Sequence, residues 1–231
     1  MKYAIAVILA IASLVGAWFL LPSGIQDECC EWVGLIAPDG VSEVAGVEHE
    51  KTIAAAEDGS IPAAVPGLRL NDPAGEVALP ALDGASRRVD FAATPLTVLV
   101  FVSCDCPTSK IYEERLGKLA AEFEGRVQFV GLASSAQETR DELAAHFGRT
   151  DPKGLNIPVL HDEGNVLADR FGARVATETF VFDREGRLQY RGAVDNARNP
   201  LRVTNQYLRG VLEALLAGRQ PQWRYQPANG C

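Results

Sequence analysis

From about residue 65 onward the chain alternates short apolar runs with amphipathic stretches, and the period of the apolar positions switches as it does so. Thr97 to Val102 (TVLVFV) is an unbroken β-branched and aromatic run, the mark of a central strand covered on both faces. Pro107 to Glu124 follows with Ile111, Leu116, Leu119, Ala120 and Phe123 at helical spacings, and Pro107 suits the first helical position. Val127 to Leu132 reads as the next buried strand and Gln137 to Phe147 as a second helix closed by Gly148. Ile157 to Leu160 reads as a short strand, and Asn165 to Phe171 as a short helix stopped by Gly172. Phe180 to Phe182 turns through Asp183-Arg184-Glu185-Gly186 into Leu188 to Arg191, a hairpin. Asn199 to Ala217 closes the pattern as an amphipathic helix carrying Leu201, Val203, Leu208, Val211, Leu212, Leu215 and Leu216. Ahead of all these, Leu68 to Val77 reads as a strand, a turn through Asn71-Asp72-Pro73-Ala74-Gly75 and a return strand. Alternating β and α elements followed by a hairpin and a last helix predict an α/β fold, a mixed central sheet with helices on both faces. In such sheets, sites form at the carboxyl ends of central strands. Here the Thr97–Val102 strand leads directly to Cys104 and Cys106.

The N-terminal pattern is different. Ala4 to Leu21 is a run of 18 uncharged residues, preceded by Lys2 and followed by Asp27 and Glu28. Its length favours an uncleaved membrane anchor over a cleaved secretory segment, because spanning needs roughly 17–25 residues and a secretory core about 7–15. The flanking charges put the N-terminus in the cytoplasm and the bulk of the chain on the extracytoplasmic, periplasmic side, where disulfides persist. The expected organisation is an anchor or signal segment over 1–25, a linker over 26–64 that holds Cys29 and Cys30, a folded domain over 65–218 and a tail over 219–231 ending in Cys231.

Composition narrows the function. The 231 residues are 47% hydrophobic, enough for one substantial core, and 22 Lys plus Arg against 30 Asp plus Glu give a net charge of −8. Without a basic footprint, nucleic acid is not an expected partner. The five cysteines are too few for a disulfide-stapled mini-protein, and two close pairs account for four of them.

Cys106 precedes Pro107 and so falls at or beside the N-cap of the predicted helix. Unsatisfied N–H groups and the positive end of the helix dipole stabilise a thiolate there, which lowers a cysteine pKa from about 8.5 to about 3.5–7.5. Lys110 is a nearby cation. Cys104 lies two positions upstream, with its Cα roughly 6.5 Å away if the chain is extended, at the wide limit for a disulfide. Two alternatives follow: a Cys104–Cys106 dithiol switch, or Cys104 as a bystander with the resolving thiol elsewhere. A tail that folds back would let Cys231 resolve Cys106 or pair with Cys29 or Cys30, with Trp223 and Tyr225 as anchors, and Cys29 and Cys30 are themselves further candidates to resolve Cys106.

Phe101 to Ser109 (FVSCDCPTS) with its flanking strand and helix, the Thr179 to Gly186 hairpin, and the Val65-to-Gly75 entry resemble the thioredoxin superfamily. Within it, the chain is similar to the redoxin group that includes alkyl hydroperoxide reductases and thiol-specific antioxidant proteins. The resemblance covers about Ala64 to Gly218 and implies a thioredoxin-like fold and a thiol-dependent oxidoreductase or antioxidant activity on a partner disulfide or a peroxide. It implies that Cys106 is the attacking cysteine of the thioredoxin Cys-x-x-Cys, with Ser109 in the place of the second cysteine. Ser103 is similar to the hydroxyl residue of the peroxiredoxin Thr-x-x-Cys, which helps bind peroxide. The proline that precedes that motif is replaced by Leu99, and the buried carboxylate of thioredoxins by Val100. Thr177 takes the place of the peroxiredoxin arginine, with Arg174 near but out of register, and Thr177 or Glu178 takes that of the thioredoxin cis-proline.

A binding protein is the second class. Cys104, Cys106 and His161 offer soft and borderline ligands for copper or zinc, as in thioredoxin-like copper chaperones, although that motif has three residues between its cysteines and this chain has one. A non-catalytic redoxin-fold interaction module is the third. No Cys-x-x-Cys-His occurs, so covalent haem is not indicated and no cofactor is expected.

Overall fold

A computed structural model describes residues 54 and 56 and residues 59–231. The anchor segment, Cys29, Cys30 and most of the linker lie outside the described residues. Among the described residues no helix is long and apolar enough to cross a membrane.

A small antiparallel hairpin comes first, β1 (Ala78–Pro80) with β2 (Ser86–Arg88). The main sheet starts with β3 (Leu96–Val102), all seven residues of which are buried, as expected of an uninterrupted apolar strand. The helix α1 (Pro107–Glu122) leads to β4 (Val127–Ala133), α2 (Arg140–Phe147) to β5 (Val159–His161), and α3 (Val166–Phe171) to the hairpin of β6 (Thr179–Asp183) and β7 (Leu188–Gly192). The chain closes with α4 (Tyr207–Leu216) and a two-residue strand, β8 (Tyr225–Gln226). The six-stranded sheet runs β5-β4-β3-β6-β7-β8, with β3, β4 and β5 parallel, β6 antiparallel to both its neighbours and β8 parallel to β7. Alternate residues of β3 feed two cores. Val98, Val100 and Val102 pack with Tyr112, Leu116 and Leu119 of α1 and Leu208, Val211 and Leu212 of α4. Leu99 and Phe101 pack on the other face with Leu167 and Phe171 of α3 and with Phe180 and Phe182. This is the thioredoxin-like α/β fold with helices on both faces of a mixed sheet.

Three expected elements differ from those observed. Leu68–Val77 is not a hairpin: Asn71 has φ +70°, Pro73 has no N–H to give, and the segment lies along β7 through Asn71 N–H to Leu188 O (2.8 Å) and Leu188 N–H to Asp72 O (3.0 Å). The last helix starts at Tyr207 rather than Asn199. Pro200 opens only a 3-10 turn, and the Asn196 side chain accepts from the N–H groups of Thr204 and Asn205, holding them out of a helix and leaving Leu201 exposed. The second helix starts at Arg140 because Thr139 and Glu142 form a capping box, which leaves Glu138 in the preceding turn. That displacement sends a carboxylate toward the cysteines.

Candidate active site

β3 ends at Val102 and α1 begins at Pro107, so Ser103 to Cys106 form the loop at the carboxyl end of a central strand. Cys106 is the N-cap of α1, with extended backbone angles, and its sulfur accepts a hydrogen bond from the Ser109 N–H at 3.4 Å. A pre-set proline at N1 and the first-turn Ser109 N–H aimed at the sulfur suit this position to a sulfur anion. Ser109 itself is buried and its hydroxyl accepts from the Ser103 N–H at 3.1 Å, so the residue in the place of a second cysteine braces the loop.

The structure joins Cys106 to Cys231 in a disulfide, with Cα atoms 5.8 Å apart and 125 positions between them in sequence. The tail is built to arrive there. Its strand β8 pairs with β7, Ala193 N–H donates to Gln226 O at 2.9 Å, and the Trp223 ring packs edge-on to Tyr207. Nearer the end, Thr177 Oγ1 donates to Asn229 O at 2.9 Å and Ala176 N–H donates to Cys231 O at 3.2 Å. Thr177 is buried with φ +76°, an unusual conformation for a β-branched residue, and its own N–H donates to Phe101 O at 2.7 Å. Through that hydroxyl, Thr177 holds the tail.

Cys104 is not paired with Cys106. It is buried and free, and burial pushes its thiol up to about 12, with the Glu138 and Asp105 carboxylates acting in the same direction. The loop turns its side chain into the core, where it packs in the same cluster as Tyr112 and Val102. Ser103 is committed: its hydroxyl accepts from the N–H groups of Asp105 (3.2 Å) and Cys106 (3.0 Å) and donates to Glu138 Oε1 at 2.8 Å. Glu138 Oε1 also accepts from the Asp105 N–H at 2.9 Å. Glu138 had no signal of its own in the chain; the capping box that follows it is the feature that locates it outside the helix.

His161 is buried at the end of β5. Among the described residues, the side chains that converge at the loop are Cys104, Asp105 and Glu138, whose ligand-type atoms lie within 4.8 Å of one another. The copper set of Cys104, Cys106 and His161 is not brought together, since the Cys106 sulfur is bonded to Cys231 and His161 is not among those that converge.

Behind the tail loop, Glu178 and Arg191 form a buried ion pair at 2.6 Å, and Arg191 also donates to the carbonyls of Pro66 and Gly172, both at 2.5 Å. Glu178 accepts from the Arg174 N–H at 3.0 Å, which ties the 174–178 loop to the sheet. An open cleft of about 430 Å³ lies in front of the disulfide, lined by Ser103, Asp105, Cys106, Gln137, Arg174 and Cys231 among others.

A cysteine at a helix N-terminus beside a central strand of this sheet defines a thioredoxin-like protein with a thiol site. The redoxin family profile matches residues 69–208, and the chain belongs to that family. Its fold is similar to a hypothetical protein from Sinorhizobium meliloti (28% identity, TM-score 0.65, covering 72% of this chain and 94% of that one). An uncharacterized conserved protein from Geobacillus kaustophilus is similar at 27% identity and TM-score 0.61, covering 71% of this chain and 89% of that one. A search of the curated proteins finds no match.

Proposed function

We propose that this redoxin is a thiol–disulfide oxidoreductase in which Cys106 attacks and Cys231 resolves, tethered by its N-terminal segment on the extracytoplasmic side of a membrane. The observation that carries this reading is the Cys106–Cys231 disulfide at the N-terminus of α1. The Cys106 thiolate attacks one sulfur of a partner disulfide; that S–S bond breaks, and the other partner sulfur leaves as a thiolate. Cys231, deprotonated, then attacks the Cys106 sulfur of the mixed disulfide and releases the second partner thiol. The partner disulfide gains two electrons, and the two protein thiols lose them as the Cys106–Cys231 bond forms. An external dithiol resets the pair.

Disulfide exchange is favoured over peroxide reduction because the one proton of Ser103 is given to Glu138 and the cleft is open. Tethering is supported by the 18-residue uncharged run at Ala4 to Leu21. Reduction of a peptide disulfide by the full chain tests the chemistry. Cys106→Ser abolishes turnover and Cys104→Ser retains it; the reverse pattern moves the nucleophile to Cys104. Retention of the full chain in carbonate-washed membranes, and its release on removal of residues 1–25, tests the tether.

A further inference from the structure

Among the described residues, Cys106 has two other cysteines to consider: Cys231 on the tail and Cys104 two residues away. The structure uses the distant one. Two features separate them: the loop turns the Cys104 side chain into the core, and the carboxylate of Glu138 lies against its thiol. Glu138 is only 4% exposed, and its Oε1 is fixed by Ser103 Oγ and the Asp105 N–H, the two ends of the turn that holds Cys104. Among the described residues its Oε2 is buried without a hydrogen-bond partner, and a Glu138 oxygen lies within 4.8 Å of the Cys104 sulfur. A buried carboxylate that pairs with no cation among the described residues makes a second anion beside it costly.

We propose that Glu138 is a selectivity residue for the exchange reaction: its buried carboxylate, set against Cys104, confines the disulfide of Cys106 to the tail thiol Cys231. The inference rests on the oxidoreductase reading of Cys106. Only a thiolate attacks a disulfide, so a thiol held neutral is excluded from exchange even when it is adjacent. Among the described residues, the carboxylates that act on Cys104 are Glu138, from the turn before α2, and Asp105, from its own loop. Of the two, Glu138 is buried and pinned, whereas Asp105 is exposed to water, which screens it. Ser103 completes the device. The same hydroxyl that donates to Glu138 accepts from the Cys106 N–H, so the residue that orients the attacking cysteine also fixes the carboxylate that silences its neighbour.

Two measurements test this in the full chain. In a Cys106→Ser, Cys231→Ser background, which has no exchange chemistry, the rate of Cys104 alkylation is followed against pH by site-resolved mass spectrometry. Glu138→Gln, which keeps the acceptor for Ser103 and Asp105, raises the rate at pH 9 by about tenfold or more, as expected for a downward pKa shift of at least about one unit. In the chain with all its cysteines, oxidised Glu138→Gln yields a Cys104–Cys106 disulfide beside Cys106–Cys231, whereas Glu138→Asp, which keeps the charge, yields Cys106–Cys231 alone. An unchanged Cys104 profile in Glu138→Gln overturns the proposal, as does Cys106–Cys231 as its sole product, or a mixed product from Glu138→Asp, which would report a loosened loop. The alkylation arm is independent of turnover, so it fails separately from the oxidoreductase reading.

Discussion

Gly230 lies against the backbone of Ala176 so closely that a Cβ on Gly230 would overlap the Ala176 carbonyl oxygen. The residue before the tail cysteine is therefore part of the fit that delivers Cys231 to Cys106. Gly192 makes the same kind of approach one strand away, where a Cβ would overlap Gln226 O and where φ is +139°.

Gly230→Ala is expected to weaken the tail disulfide without touching either sulfur. Overpacking of this kind costs about 1–3 kcal/mol, so the equilibrium constant for forming Cys106–Cys231 in a glutathione redox buffer falls by about fivefold or more. A value within twofold of the parent would show that the last residues do not rely on this contact.

Ser109→Cys places a thiol one helical turn from Cys106, where the Ser109 N–H is 3.4 Å from the Cys106 sulfur. The expected product of oxidation is a disulfide between Cys106 and the introduced thiol, with Cys231 open to alkylation. Disulfide mapping reads this directly, and a retained Cys106–Cys231 bond would mean that the docked tail outcompetes a thiol in the first turn of α1.

Arg191 is 1% exposed and donates to Glu178 and to two carbonyls. Arg191→Leu leaves the Glu178 carboxylate buried without its cation, and breaking such a pair costs about 3–5 kcal/mol. Urea denaturation should show that loss, while a change below about 1 kcal/mol would mean that water or another group takes over the Glu178 carboxylate.

Burial, together with a hydrogen bond from its hydroxyl to Asp195 Oδ1 at 2.8 Å, pushes Tyr112 up to about 12 from an ordinary value of 10. Between pH 10 and 12 the unfolded chain loses this proton and the folded chain keeps it, so the stability it contributes is intact below pH 10 and is lost as pH rises through 12. Tyr190 and Tyr225 are raised too, mainly by burial. Stability is therefore expected to fall steeply above pH 10, and Tyr112→Phe to make that fall shallower; an equal slope in the variant would exclude Tyr112 from it.

The parts of the fold legible in the sequence are those where one local signal dominates. The apolar run of β3, the Cys106-Pro107 step and the Gly172 stop of α3 each state a backbone conformation on their own. The parts that were not legible depend on partners distant in sequence. Tyr225 and Gln226 form a strand only because β7 offers an edge, and Leu201 keeps the helical period of α4 although the Asn196 amide holds the intervening residues out of a helix. At the site, the reactive position of Cys106 is a local matter of strand, loop and helix. The silence of Cys104 is not, because it requires burial and Glu138, a residue 34 positions away that periodicity places inside a helix.

Cys231→Ser is the variant that decides whether the tail thiol resolves Cys106. With a peptide disulfide as substrate, it is expected to stop after the first exchange and accumulate a mixed disulfide between the peptide and Cys106, identified by mass spectrometry, while the parent chain turns over and rests as Cys106–Cys231. Full turnover by the variant with no trapped species would remove Cys231 from the reaction, and a trapped peptide on Cys104 would remove Cys106 as the nucleophile.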